Sequence, residues 1–228
     1  MAKQKINGRF EFNEPVPAAN VNLLEARAFK GKDGKAKGEA KYGVTLILDP
    51  ASTDLKAAQA LAVSIAKDAF PGLALKDVRF PFKDGTKENA RRVAKGLKAL
   101  DWQQGKVVLG IRSKDQPRLA GVVSGRIVDF DSDEQITANG RLFYNGVKVC
   151  VQVNFASYGE AAAVGDDDND AKPGITAYLN LVLSTGSGSR ISGSVSAAEA
   201  FRGFSGSLSA TDPTAGATPD LGDDEIPF

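Results

Sequence analysis

The chain has 228 residues, 42% of them hydrophobic and 25% charged, so it carries enough apolar mass for a sizeable core and is neither collagenous nor disordered throughout. It contains no histidine and a single cysteine, Cys150, which excludes Ser-His and Cys-His nucleophilic triads, zinc fingers and an intramolecular disulfide. The net charge of +1 conceals a segregation: residues 1–120 hold 23 Lys+Arg against 13 Asp+Glu, whereas residues 205–228 hold five acids and no base, a pattern that fits a protein that meets polyanions.

In chain order, period-two alternation predicts strands over 6–12, 21–29 and 42–48. Between the second and third lies the segment FKGKDGKAKGEAKY, a Gly-rich basic arm bearing Lys30, Lys32, Lys35, Lys37 and Lys41 between Phe29 and Tyr42. Such an arm is expected to close over a bound strand. A helix follows Ser52, because Leu55, Ala58, Leu61, Ala62, Ile65 and Ala69 keep one apolar stripe until Pro71-Gly72. A weaker, strongly basic helical stretch covers 87–100 and contains Gly96. Trp102, the only tryptophan, precedes a strand over 106–112 and reads equally as a core anchor or a stacking platform.

Further strands are predicted over 122–130, 141–144, 147–155 and 176–183, with Asn145-Gly146 as the turn of a hairpin. Parity assigns Val147, Val149, Val151, Val153 and Phe155 inward and leaves Lys148, Gln152, Asn154 and Tyr158 on the other face. By the same rule Leu179, Leu181 and Leu183 point inward and Tyr178 and Asn180 outward. Lys106 and Arg112 oppose an inward Val107, Leu109 and Ile111. Cations that follow phosphates and rings that receive unstacked bases are the chemistry of a single-stranded nucleic acid surface. The candidate DNA-binding residues are therefore Lys30, Lys32, Lys35, Lys41, Tyr42, Trp102, Lys106, Arg112, Tyr144, Lys148, Tyr158 and Tyr178.

Sharper motifs fail. GKDGKAKG lacks the P-loop spacing, and GSGSRISG has Ile191 where a dinucleotide fingerprint needs glycine. The run from Asp129 to Asp133 lacks the glycine and closing glutamate of a calcium loop, and its three aspartates make a weak two-metal nuclease site. Asp166–Asp170 (DDDND) reads as a loop tip. No cofactor and no metal is expected. Residues 205–222 are a Gly/Ser/Ala/Thr/Pro linker ending in Asp223, Asp224, Glu225, Ile226, Pro227 and Phe228, acids around an apolar anchor suited to docking on a partner protein.

The many strands predict a mainly β barrel or sandwich, and the single inserted helix suits a Greek-key barrel. The runs EAKYGVTLILDP, FPFKDGTKE, GRLFYNGVKVCVQVNFASYG and GITAYLNLVLSTGSGSRISGSVSAAEAF, with the ending DDEIPF, resemble a bacteriophage family of single-stranded DNA-binding proteins over most of residues 20–228. The resemblance implies an OB-fold over residues 1–204, a five-stranded Greek-key barrel with extra strands, followed by a disordered acidic tail over 205–228. It further implies a non-enzymatic protein that protects single strands in phage DNA replication, recombination and repair. The tip would recruit replication and recombination proteins and compete with DNA for the groove. An annealing protein or recombination mediator shares this surface chemistry, while a nuclease or a virion structural protein is less favoured. The N-terminus lacks the apolar run of a signal peptide, which makes the host cytoplasm the expected location, with no membrane partner. A homo-oligomer is compatible with the sequence.

Overall fold

The computed structural model describes residues 7–30, 36–159 and 173–191. Lys32, Lys35, the acidic run 166–170, the linker and the tip 223–228 lie outside the described residues, as do the side chains of Phe29, Lys30 and Lys37. Among the described residues the elements are β1 (Asn7–Lys30), β2 (Ala36–Leu48), α1 (Thr53–Ala69), β3 (Phe82–Asp84), α2 (Gly85–Ala94), β4 (Val107–Ser113), β5 (Arg118–Val123), β6 (Arg126–Phe130), α3 (Asp133–Asn139), β7 (Lys148–Tyr158) and β8 (Gly174–Ser184). The strands form one sheet in the order β3-β4-β2-β1-β7-β8-β5-β6.

The five-strand path β4-β2-β1-β7-β8 is antiparallel at each step. β4 and β8 therefore run parallel, and they lie side by side, which closes the path into the Greek-key barrel of an OB-fold. β1 makes this closure possible by serving both halves. Its first part pairs with β7 from Asn7↔Ala156 to Pro17↔Lys148, and its second with β2 from Ala18↔Leu46 to Lys30↔Ala36. The two strands expected over 6–12 and 21–29 are one continuous strand. Pro15 and Pro17, between them, sit at and beside a register shift between Phe12 and Val16, where the strand bends onward.

The core follows the alternation. Phe12, Leu46, Leu109, Ile111, Val149, Val153 and Phe155 are fully buried, and α1 adds Leu55, Ala58, Ala62 and Ile65. α1 begins as expected, with the Ser52 hydroxyl accepting from the Leu55 N–H. Two shorter helices join it. α2 spans less than the predicted 87–100 because Gly96, at φ 71°, supplies the left-handed C-terminal stop. α3, for which no helix was expected, begins at a reciprocal capping box between the Ser132 hydroxyl and the Gln135 side chain.

Two strand expectations are corrected. The run 122–130 is not one strand but the end of β5, a turn at Ser124-Gly125, and β6. Both turn residues have positive φ, 51° and 76°, the geometry that follows strand twist. Serine is a poor occupant of that region, so Ser124→Asn is expected to stabilise the protein by about 0.5 kcal/mol in urea denaturation; a loss of stability would contradict this turn geometry. Conversely, residues 141–144 are no strand: a 3-10 turn spans Gly140–Leu142, and Asn145-Gly146 makes no hairpin. The Asn145 side chain accepts from the Val21 N–H, its carbonyl accepts from the Ile191 N–H, and the Gly146 N–H donates to the Ala18 carbonyl. Any Cβ on Gly146 would collide with the Ser189 carbonyl. The dipeptide is a tertiary junction.

Candidate nucleic-acid interface

On the barrel wall formed by β1, β2 and β4, the inward side chains are Val44, Leu46 and Leu48 opposite Ile111, Leu109 and Val107. The alternate residues face outward, in cross-strand rows. Arg112 lies opposite Gly43, which lies opposite Asn22; Gly110 lies opposite Thr45, and Thr45 opposite Ala19. One step further, Arg27 lies directly opposite Lys41. The centre of this wall is a smooth strip of Gly43, Thr45 and Gly110, with the Arg112 stem passing over Gly43. The groups lying over this strip are polar or cationic: the Arg112 stem over Gly43 and the Asn20 amide, which donates to the Thr45 hydroxyl. Two like charges set directly opposite destabilise a sheet slightly, so the Arg27 and Lys41 pair is a cost that an anion would relieve.

One residue beyond Arg112 the wall ends in a groove of about 450 Å³ across the β4–β8 seam. The connection from β4 to β5 supplies Lys114 and Gln116, the start of β5 supplies Arg118, and β8 supplies Tyr178 and Asn180. Lys114 pairs with Glu39 at 2.8 Å, and that hydrogen-bonded carboxylate raises the ammonium pKa, keeping it charged. Arg118 stands 3.8 Å from Asp129. Asp129 is thus held opposite an arginine and Asp133 in the first turn of α3, and among the described residues no group of acids is arranged to hold a metal.

The expected parity holds throughout β7, where Val147 to Phe155 are buried at every odd position. In β8 it fails at one point. Gln152 pairs with Leu181 but Val153 pairs with Leu179, so Asn180 is the extra residue of a bulge. The phase flips there, burying Val182 and Ser184 and turning Leu181 and Leu183, expected inward, to the half-buried outer side.

The remaining sequence-selected residues do not form one channel. Lys41, Arg112 and Tyr178 belong to the wall and its seam. Tyr42 shares the inward phase of Val44 and pairs with Ser113. Lys106 donates to Asp49 at 2.8 Å, and this hydrogen bond, with the Ala51 N–H, lowers the Asp49 pKa. Trp102 is half-buried in a 3-10 turn near that corner. Tyr144 donates its hydroxyl to the Gly188 carbonyl and carries Arg190 over its ring at 4.7 Å, so its face is occupied. Lys148 is exposed at the start of β7, and its backbone N–H donates to the Ser187 carbonyl. Tyr158 lies over Gly174, where a Cβ would stand 2.6 Å from its hydroxyl oxygen. Lys30 is the last residue of β1, paired with Ala36 at the root of the basic arm. Sequence reasoning missed Arg27, Lys114 and Arg118; the β1–β2 register, the barrel closure and the parallel β5–β8 pairing bring them to this surface.

A family model described as the Enterobacter phage Enc34 ssDNA-binding protein matches residues 14–212. The chain belongs to that family. The match takes in Arg27, Lys41, Arg112, Lys114, Arg118 and Tyr178 and stops short of the acidic tip. Among solved structures, the single-stranded DNA-binding protein of bacteriophage Enc34 in complex with ssDNA aligns with a TM-score of 0.52 at 17% identity, over 82% of this chain and 89% of that one. A C-terminal truncation of the Enc34 protein gives 0.52 at 18% identity, over 82% and 87%. A further structure of it gives 0.50 at 16%, over 86% and 89%. No curated protein sequence matches. At such identities the likeness speaks for the shared fold, and in this Enc34-family chain the individual contacts must be argued from its own residues.

Proposed function

We propose that this chain binds single-stranded DNA without catalysing a reaction on it, along the outer wall of β1, β2 and β4 and into the seam. The observation that carries the reading is the Arg27–Lys41 opposition beside Arg112, which among the described residues has no carboxylate paired to it, on a strip of glycines and threonine: cations for phosphates along an outer face of short side chains. Family membership and the Enc34 complex with ssDNA support it. The basic arm carrying Lys30, Lys32 and Lys35 springs from the same wall and closes over the strand. The protein acts in the infected cell's cytoplasm during phage DNA replication and recombination, and the tip Asp223 to Phe228 engages partner proteins of those processes. No described helix is long and apolar enough to cross a membrane.

A fluorescently labelled oligonucleotide titrated at several salt concentrations tests the reading. Each phosphate contact contributes about −0.7 to the slope of log K against log salt, so three or more contacts give a slope steeper than about −2. Neutralising Lys30, Lys32 and Lys35 together is expected to make it shallower by up to about 2. Binding that is absent, or indifferent to salt, rejects the proposal.

A further inference from the structure

The groove at the β4–β8 seam differs in kind from the wall that leads to it. The wall offers charge and flatness; the groove adds a ring, an amide and a concave shape. Tyr178 is 40% exposed and lies in the outer row Arg9–Asn154–Tyr178 across β1, β7 and β8. The adjacent row runs Glu11–Gln152–Leu181–Arg118, which sets Arg118 on the neighbouring strand of the same face. β5 pairs with β8 only from Leu181 to Ser184, so the ladder on that edge ends where Tyr178 and Asn180 begin. The bulge at Asn180 gives that amide a setting that regular pairing would not, as bulges beside binding sites do. Lys114 stands on the opposite bank. Its pairing with Glu39, and that of Arg118 with Asp129, join side chains more than half exposed; such pairs are weak and yield to a better anion. Asp115 also lines the groove and opposes an anion on its own side, leaving Lys114 and Arg118 as the two phosphate positions.

We propose that this groove is a nucleobase subsite: one unstacked base lies against the Tyr178 ring with its edge toward Asn180, and the flanking phosphates are held by Lys114 and Arg118. The inference rests on the single-strand reading above and deepens it by naming one position at which a base, not only the backbone, is held. A carboxamide presents both donor and acceptor and rotates to suit, so the subsite accepts any base.

The test uses the full chain and an oligothymidine carrying 5-iodouracil. Tyr178→Ala is expected to weaken binding by about 5- to 150-fold, the loss of one base stack, with the salt slope unchanged because no phosphate contact is removed. Tyr178→Phe keeps the ring and is expected to keep most of the affinity. Lys114→Gln with Arg118→Gln is expected to make the slope shallower by about 1.4. Near-ultraviolet irradiation of the parent complex should yield an adduct on the peptide containing Tyr178. Parent-like binding by Tyr178→Ala, or an equal loss in Tyr178→Phe, overturns the subsite while leaving the single-strand reading in place. Absence of salt-sensitive binding by the parent overturns both.

Discussion

Replacing Arg27, Lys41 and Arg112 together with glutamine is expected to weaken single-stranded DNA binding by about two to three powers of ten at about 50 mM salt. Three phosphate contacts at about 0.7 each remove about 2 from the salt slope, and that slope accumulated down from about 1 M gives the loss. Parent and variant should therefore converge as the salt approaches about 1 M, which separates lost charge from lost shape. The fold is expected to survive, because all three side chains face outward and the Arg27–Lys41 opposition is a small liability that neutralisation removes. A melting temperature equal to or slightly above the parent's, alongside the weaker binding, is the expected signature. If the slope is unchanged, the strand runs elsewhere on the barrel, and the corner at Lys106 and Trp102 becomes the place to look.

Why these three residues were not all legible in the sequence is a question of range. β7 was legible because period-two burial of Val147 to Phe155 is a local property, fixed by two buried neighbours and unbroken by any bulge. α1 was legible for a similar reason, its cap and its stripe both lying within one helix length. The opposition of Arg27 and Lys41 depends on register shifts between Asn22 and Phe29, which no window of sequence contains. Arg112 was legible by parity, but Lys114 belongs to a connection that only closure carries over to β8, and Arg118 comes beside β8 through the non-local β5–β8 pairing. Tyr144 and Asn145 show the opposite error. Their local signals, an exposed ring and a hairpin turn, were real propensities spent on tertiary contacts with residues 188–191 and β1. The β8 bulge at Asn180 is a third kind of case, since a single extra residue inverts every later assignment while leaving composition and hydropathy untouched.

Phe155→Ala is expected to be the most destabilising single substitution argued from this core, at about 3–5 kcal/mol. The ring is fully buried and packs against Phe82 with centroids 5.7 Å apart, tying β7 to the short β3 across the barrel. Its cross-strand neighbours are Gly8 and Ala177, two small residues that leave the space the ring fills. Gly8 serves a second contact at the same point, since a Cβ there would stand 3.2 Å from both Leu61 and Ile65 of α1. Removing the ring thus opens a cavity where sheet, helix and β3 meet, and none of the three can collapse inward without losing its other contacts. For a chain of this size the cost corresponds to a fall in melting temperature of about 10 °C or more, with the urea m-value unchanged. Phe155→Leu, which keeps most of the volume, should recover over half of the loss. A Phe155→Ala variant destabilised by less than about 1 kcal/mol would mean that α1 and β3 are not anchored through this ring. Because Asn154 and Tyr178 stand on the outer side of the same two strands, the folded fraction of the variant should still bind an oligonucleotide, and lost affinity should track lost stability on warming.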